Sequence, residues 1–294
     1  MFGQRQMNSL EKKEKIKFTI VGLLIIADIF IFFFVSSYTP NKLKVVFFDV
    51  GQGDAIFVET PSGKQFIIDS GYNNLVLSRL GGELSVFDRS LDAVFASHPD
   101  SDHIGGMPDI LKSYSVGRYF DSGVESDSIL YKVVNEINSY EKISTSTLSS
   151  NDIIDFGDGV FLEILWPEIG LFDKTGDTNK GSLVTKLVYG DISFLFEGDA
   201  PQAVEKTLIF KNDKELDSDV LKVAHHGSKT SSLPAFISAV SPAFSVISAG
   251  KDNKFGHPNV ETTDTLNGVG TKILETSFLG NITFESDGNR VVQR

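Results

Sequence analysis

Ser97-His-Pro-Asp-Ser-Asp-His-Ile-Gly-Gly106 is the stretch of this chain with the densest set of chemically active side chains. Within six residues it contains two imidazoles and two carboxylates, from His98, Asp100, Asp102 and His103. The β-rich, alternating run at residues 91–96 precedes it and predicts a strand. The cluster therefore follows the carboxyl end of a strand, where α/β folds place their sites, and it predicts a metal centre.

The spacing within this stretch allows more than one ion to bind. In an extended turn, alternate side chains can converge, whereas His103 stands beside Asp102 and must point elsewhere. One loop can therefore serve two ions, with His98 and Asp100 facing one ion and Asp102 and His103 facing the other. The alternative is a polar loop in which Asp102 caps the next helix. Capping needs only one acceptor and explains neither histidine.

Five motifs, in chain order, resemble those of the metallo-β-lactamase fold superfamily. The segment 98–103 is similar to the His-x-His-x-Asp-His signature, in the Asp-substituted form of the extracellular domain of ComEC-type competence proteins. The other four motifs are Phe48-Asp-Val-Gly-Gln-Gly-Asp54, Ile68-Asp-Ser-Gly71, Phe196-Glu-Gly-Asp199 and Leu221-Lys-Val-Ala-His-His-Gly-Ser-Lys-Thr230. The resemblance covers residues 43–294 and implies an α/β fold, an αββα sandwich.

The resemblance also implies a site for two divalent metal ions. The implied ligands are His98, Asp100 and Asp199 for the first ion, and Asp102, His103, Asp199 and His225 for the second. Because Asp100 stands where an imidazole is usual, the site is expected to accept Mn²⁺ as well as Zn²⁺. Asp69 is expected to support the metal loop through hydrogen bonds. By position alone, Asp199 could instead cap the following helix.

Two later loops add further candidate residues. We expect His225, which leaves its strand first, to bind the second ion, and His226, Ser228 and Lys229 to support the site or contact substrate. The alternative for this segment is a polar surface loop.

The loop at residues 249–258 resembles the last loop of the family. There, His257, with Lys251 and Asn253, is expected to meet the phosphate or the leaving group. We therefore assign catalytic roles to His257 and to Asp102. The alternative for His257 is a role only in helix entry.

The third motif of the superfamily departs from its usual pattern. A histidine normally stands there, but this chain reads Asp177-Thr-Asn-Lys-Gly-Ser182. Asp177 or Asn179 could donate oxygen, or water could fill the place. The first ion is therefore expected to bind weakly.

The amino-terminal region predicts a membrane anchor. Residues 1–17 form a basic tail, 18–37 an apolar run long enough to be a transmembrane helix, 38–42 a linker, and 43–294 the hydrolase domain. A cleaved signal peptide is the alternative, although the run is long for one and no clear cleavage site follows. The basic residues before the run place the amino terminus in the cytoplasm and the domain outside. Asp28 lies inside the run, either as a contact to a membrane-protein partner or as a tolerated carboxylate.

Composition limits the function classes. The chain has no cysteine, which excludes disulfides, thiolate ligands and a cysteine nucleophile. Its net charge is −12. Residues 1–42 hold six basic and three acidic residues, so the remainder holds 21 basic and 36 acidic residues, a net charge of −15. Such an acidic domain is a poor non-specific polyanion binder.

Three functions fit these observations. The resemblance implies a membrane-anchored metallohydrolase that cleaves phosphodiester bonds, with DNA as its substrate. Its predicted transmembrane helix at 18–37 would be in contact with membrane lipid. A second candidate is a phosphodiesterase or esterase that acts on a cell-wall polymer or a small ester, which would suit the acidity of the domain. The third is a non-catalytic accessory module whose first metal site has decayed.

Overall fold

The computed structural model describes residues 2–37, 42–170, 177–212 and 215–294. The chain divides into two compact units, Met1–Pro40 and Asn41–Arg294. The first unit contains helix α1 (Phe2–Ser37). Among the described residues, no helix meets the length and apolarity needed to cross a membrane, so the predicted transmembrane helix at 18–37 is not shown. Most of the predicted linker, residues 38–41, lies outside the described residues.

The second unit is built from strands that alternate with helices. Its described strands are β1 (Leu43–Phe47), β2 (Ile56–Glu59), β3 (Gln65–Ile68), β4 (Ser90–Ala96), β5 (Ser115–Asp121), β6 (Ser144–Thr147), β7 (Ile153–Gly157), β8 (Val160–Trp166), β9 (Val184–Tyr189), β10 (Ile192–Phe196), β11 (Val220–Lys222), β12 (Phe244–Ile247), β13 (Lys272–Glu275), β14 (Ile282–Ser286) and β15 (Val291–Gln293). Its described helices are α2 (Leu75–Glu83), α3 (Ser101–Ile104), α4 (Met107–Ser113), α5 (Ile129–Tyr140), α6 (Gln202–Asn212), α7 (Pro234–Val240), α8 (Val260–Val269) and α9 (Thr276–Leu279).

Within the described residues, these strands form two sheets. The first has the order β15-β14-β1-β2-β3-β4-β5-β6, and the second has the order β13-β12-β11-β10-β9-β8-β7. Central strands such as β3 and β10 are buried along their whole length, which explains why their sequences are almost continuously apolar. The β9–β10 hairpin turns at Gly190, whose φ of 61° is accessible to glycine at little cost.

The two sheets pack face to face with helices on both outer sides. Between them lies a phenylalanine-rich core, in which the rings of Phe47 and Phe196 join the two sheets with centroids 6.0 Å apart. Helices α2, α4 and α5 cover the first sheet, and α6, α7 and α8 cover the second. The expected αββα sandwich is therefore confirmed for the second unit.

Strand direction brings the functional loops to one edge of the sandwich. Strands β3 and β4 run parallel in the first sheet, as do β10, β11 and β12 in the second. Parallel strands end at the same edge of their sheet, so the residues that follow each of them lie together. The loops that follow β3, β4, β10, β11 and β12, which are separated by up to about 180 residues of sequence, thus meet at one edge of the sandwich.

Candidate metal centre

Asp69 organises the loop that follows β4. Its φ is 59°, a left-handed conformation that turns its carboxylate towards the neighbouring loop. Oδ1 accepts a hydrogen bond from the backbone N–H of Ser97 (2.7 Å), and Oδ2 accepts one from the Ser97 hydroxyl (2.6 Å). Oδ2 also lies 2.8 Å from Nδ1 of His103. If the Nδ1 proton is donated to Asp69, the lone pair of His103 Nε2 is left to bind a cation, as in carboxylate–histidine–metal arrangements.

Two imidazoles converge on Asp199 from the same loop. His103 Nε2 lies 3.1 Å from Asp199 Oδ1, and His98 Nε2 lies 4.0 Å from Asp199 Oδ2. Two ligand atoms that are each about 2.1 Å from one ion are separated by about 3.0–4.2 Å, depending on the angle between them. Both distances fall in that range. His98, His103 and Asp199 therefore form one group that could hold a metal ion.

His226 completes a second group with Asp102 and His103. Its Nδ1 lies 2.8 Å from the carbonyl oxygen of Ser248, which fixes the proton there and leaves Nε2 as a ligand atom. Nε2 lies 3.4 Å from Asp102 Oδ2 and 3.6 Å from Asp199 Oδ2. The backbone at His226 is left-handed (φ 55°), an unusual conformation for a non-glycine residue that aims the ring inwards.

His225 occupies a more exposed position than its neighbour. Its Nδ1 is 3.1 Å from the hydroxyl of Thr230, and its Nε2 is 3.6 Å from Asp199 Oδ2. The assignment of His225 to the second ion and of His226 to support stays a prediction. Both Nε2 atoms lie 3.6 Å from Asp199 Oδ2, and that of His226 also lies 3.4 Å from Asp102 Oδ2, so the geometry favours His226 as a further ligand. Both residues have a left-handed backbone, with φ of 50° at His225 and 55° at His226, which the order of residues after β11 does not indicate.

A test of whether a cation fits comes from buried polar atoms. Among the described residues, several buried side-chain atoms at this place have no hydrogen-bond partner: Asp54 Oδ1, His98 Nε2, His103 Nε2, Asp199 Oδ1 and His226 Nε2. Each such atom costs about 1–3 kcal/mol if left unsatisfied. Imidazole nitrogen and carboxylate oxygen are suitable ligands for Zn²⁺ and Mn²⁺. The residues present therefore fit a divalent metal.

The charges of the group are consistent with cation binding. Burial lowers the pKa of His98, and neighbouring His103 lowers it further, which keeps that imidazole neutral. Burial also lowers the pKa of His226, but Asp199 and Asp54 outweigh it and raise that pKa to about 9. Burial would raise the pKa of Asp199, yet the surrounding imidazoles hold it well below its usual value. A cation that enters must displace a proton from His226, so metal binding releases protons.

Behind the histidines lies a buried ion pair that the sequence analysis did not identify as functional. Lys222 Nζ is 2.5 Å from Asp54 Oδ2 and donates a hydrogen bond to the carbonyl oxygen of Val223 (2.9 Å). Asp54 Oδ1 in turn lies 3.3 Å from Nδ1 of His226. The signal in the sequence is that Lys222 ends a short strand whose other two residues are apolar. All three residues of this strand are buried.

The third-motif segment contacts the centre through an unexpected residue. Thr178 donates a hydrogen bond of 2.5 Å to Asp100 Oδ1, while Asp100 Oδ2 lies 3.7 Å from His98 Nε2. Asp177 instead pairs with Lys180, at 3.4 Å. Among the described residues, neither Asp177 nor Asp100 belongs to the groups of closely spaced ligand atoms. Asn179 lies beside Thr178 in a short 3-10 turn, Thr178–Gly181.

The remaining predicted residues lie in two loops beside His225. The His257 ring centroid is 5.7 Å from that of His225 and 6.4 Å from that of His226. Asn253 holds the His257 loop by donating to the His257 carbonyl oxygen (2.6 Å) and accepting from its N–H (3.0 Å). Ser228 shares a hydrogen bond with Thr230 (2.9 Å), and Lys229 is exposed.

Comparison with known proteins gives three kinds of likeness. Residues 48–251 match the family model described as the Metallo-beta-lactamase superfamily. Competence protein ComA of Neisseria gonorrhoeae is 30% identical over 254 residues, which cover 84% of this chain and 34% of that protein. The chain thus spans about a third of the length of this relative. The resemblance to competence proteins is confirmed at the level of the domain.

Two further matches are a relative named as an exodeoxyribonuclease and a solved structure with a similar fold. Exodeoxyribonuclease WalJ of Streptococcus pneumoniae is 28% identical over 110 residues, which cover 36% of this chain and 40% of that protein. The solved structure of Igni18, a metallo hydrolase from Ignicoccus hospitalis, matches with a TM-score of 0.55 and 14% identity. It covers 83% of this chain and 99% of that one, and shows a shared fold.

Proposed function

Because this chain belongs to the metallo-beta-lactamase superfamily, we propose that its metal centre cleaves phosphodiester bonds and that DNA is its substrate. As a member of this superfamily it is a metal-dependent hydrolase. The observation that carries the proposal is the convergence of His98, His103 and His226 on Asp199, with buried ligand atoms that have no other partner.

The chemistry follows from what each side chain does. Two divalent ions, Zn²⁺ or Mn²⁺, would supply an activated water and polarise a phosphoryl oxygen, so no side-chain nucleophile is needed. Asp69 and Ser248 fix the ring protons of His103 and His226 on Nδ1, which directs both Nε2 atoms into the pocket. His257 stands at the rim, and burial lowers its pKa, so it meets a substrate as a neutral imidazole.

DNA is favoured as the substrate by the named relatives. One is called a competence protein and another an exodeoxyribonuclease. A negative domain repels polyanions at long range, so the cations and a local basic surface must supply the attraction. A second candidate, a phosphodiester substituent on a cell-wall polymer, is favoured by that same net charge of −15 over residues 43–294.

The test uses the 294-residue chain, single-stranded DNA and, separately, bis(p-nitrophenyl) phosphate, each with Mn²⁺ or Zn²⁺. We expect DNA cleavage that Asp199→Ala abolishes and that Asp264→Asn, a change of an exposed carboxylate on α8, leaves intact. Cleavage of the nitrophenyl ester with DNA untouched would support the second candidate. A protein that binds metal but turns over neither substrate would contradict both candidates.

Membrane attachment is a separate proposal that rests on the sequence. We propose that residues 18–37 anchor the chain, that the hydrolase domain faces outwards, and that Asp28 contacts a partner within the membrane. Fractionation of cells that express the chain, followed by protease digestion of intact cells, tests the first two points. Recovery of the chain in the soluble fraction, or protection from external protease, would contradict them.

A further inference from the structure

One loop beside the metal centre places an exposed aromatic ring in line with its histidines. Phe255 is 54% exposed, and its ring stacks on that of His257 with centroids 5.7 Å apart and planes 23° from parallel. His257 is itself 6.4 Å from His226, whose Nε2 faces Asp102. The rings of Phe255, His257 and His226 therefore form a row that begins in solvent and ends at the candidate metal ligands.

The loop is rigid enough to hold that ring in place. The side chain of Asn253 makes four hydrogen bonds within it: Nδ2 donates to the carbonyl oxygens of Gly250 (2.9 Å) and His257 (2.6 Å), and Oδ1 accepts from the N–H groups of Phe255 (3.2 Å) and His257 (3.0 Å). The N–H of Gly250 also donates to Gln52 Oε1 (3.2 Å), which ties the loop to the segment before Asp54. The ring is therefore presented without a large ordering cost on binding.

The charge around this ring is opposite to that of the rest of the domain. Residues 225–259 contain three lysines and one aspartate, a local charge of +2 within a domain of −15. Lys254 Nζ lies 5.1 Å from the centre of the Phe255 ring, and exposed Lys251 precedes that ring by four residues. Exposed Lys229 lies in the adjoining loop, where its backbone N–H donates to Asn259 Oδ1 (2.8 Å). An exposed aromatic ring beside an ammonium group, with further lysines in the adjoining loops, is a combination that binds single-stranded nucleic acid by base stacking and phosphate attraction.

We propose that Phe255 is a stacking platform for a nucleobase next to the phosphodiester that is cleaved, with Lys254 and its neighbours on the flanking phosphates. This inference rests on the proposed function and makes it more specific, because it selects a single-stranded substrate with splayed bases. In a duplex the bases stack on each other and their faces are not available to a side chain. Cleavage of a single strand should therefore exceed cleavage of the same sequence in a duplex.

The experiment compares Phe255→Leu and Phe255→Trp with wild type in the 294-residue chain. The leucine keeps an apolar side chain and leaves the Asn253 hydrogen bonds to the backbone intact. Phe87→Leu is the matched control, because Phe87 is 94% exposed and precedes β4, whose seven residues place it roughly 23 Å from the loop after that strand. Thermal unfolding shows whether each variant is folded.

The readout is kcat/KM on a single-stranded oligonucleotide and on the same oligonucleotide without its bases. We expect Phe255→Leu to lower kcat/KM on the normal strand about tenfold or more, mainly through KM, and to have no effect on the abasic strand. Phe255→Trp should retain activity, and Phe87→Leu should match wild type.

Failure of the stacking platform can be distinguished from failure of the proposed function. Wild-type cleavage with an unchanged Phe255→Leu variant, or equal losses on normal and abasic strands, overturns the platform and leaves the proposed function standing. A wild-type protein that binds metal but leaves DNA intact overturns the proposed function, and the platform with it.

Discussion

The buried pair of Lys222 and Asp54 gives a sharp test of how the centre is supported. Both side chains are almost completely inaccessible to solvent, and their charged atoms are 2.5 Å apart. Lys222→Met keeps the length and apolar stem of the side chain but removes its charge. The carboxylate of Asp54 then remains buried, with His226 Nδ1 3.3 Å from its Oδ1.

The expected loss follows from the cost of a buried, unpaired charge. Removing one partner of a buried ion pair typically costs about 3–5 kcal/mol of unfolding free energy. His226 and His103 also attract Asp54, so the lower end of that range, about 3 kcal/mol, is expected. For a unit of about 250 residues, this corresponds to a fall in Tm of about 6–12 °C.

The assay is urea and thermal unfolding of wild type, Lys222→Met, Asp54→Asn and the double variant, all in excess chelator. The double variant buries two neutral groups, so it should lose at least about 1.5 kcal/mol less than the sum of the single changes. Lys64→Met is the control, because Lys64 forms an exposed pair with Asp92 at 2.8 Å, and such pairs contribute about 1 kcal/mol or less. A Lys222→Met protein within about 1 kcal/mol of wild type, or strict additivity in the double variant, would refute the reasoning.

Three other predictions concern the metal and the effect of pH. His226→Ala should lose more bound metal per chain than His225→Ala, because of these two histidines it is His226 that has a buried Nε2 without a hydrogen-bond partner, beside Asp102. Metal analysis after dialysis checks this, and equal loss contradicts it. Asp69→Asn should weaken metal affinity about 10–100-fold, since it removes the carboxylate that fixes His103 Nδ1; chelator competition measures it, and unchanged affinity is the contrary result. Burial raises the pKa of Glu205 from 4.5 to about 7, so between these pH values the folded state holds a proton that the unfolded state releases. The unfolding free energy should therefore fall by up to about 3 kcal/mol as the pH rises from about 4.5 to 7. Glu205→Gln should remove that decline in urea unfolding at pH 5 and 8, and a parallel decline in both proteins would contradict it.

Much of the centre can be predicted from short motifs because each lies at the end of a strand. His98, His103 and Asp199 follow β4 and β10, and apolar, β-rich runs mark those strands clearly in the sequence. Parallel strands deliver the residues after them to one edge, so the meeting of these loops follows once the α/β pattern is recognised. The absence of cysteine likewise restricts the ligands to nitrogen and oxygen.

The contact of Thr178 with Asp100 is not predicted by the sequence motifs. The third motif usually supplies a histidine, and in its absence the sequence predicts an oxygen donor from Asp177 or Asn179, or a water. In the structure, the neighbouring threonine hydroxyl contacts Asp100 instead. A one-residue difference in a short turn changes which side chain faces the pocket, and the sequence pattern does not specify that turn.

The sequence by itself, through strand patterns and its resemblance to the superfamily, was enough to predict the sandwich fold, the strand ends at which the loops meet, and a centre of imidazoles and carboxylates. Only the tertiary structure decided that His226 rather than His225 faces Asp102, and that Lys222 lies against Asp54. The reason is that the proton position and direction of the His226 ring depend on Ser248, 22 residues away, and on a left-handed turn. The pairing of Lys222 with Asp54 likewise joins β11 of the second sheet to the loop between β1 and β2 of the first, and it forms only when the two sheets pack.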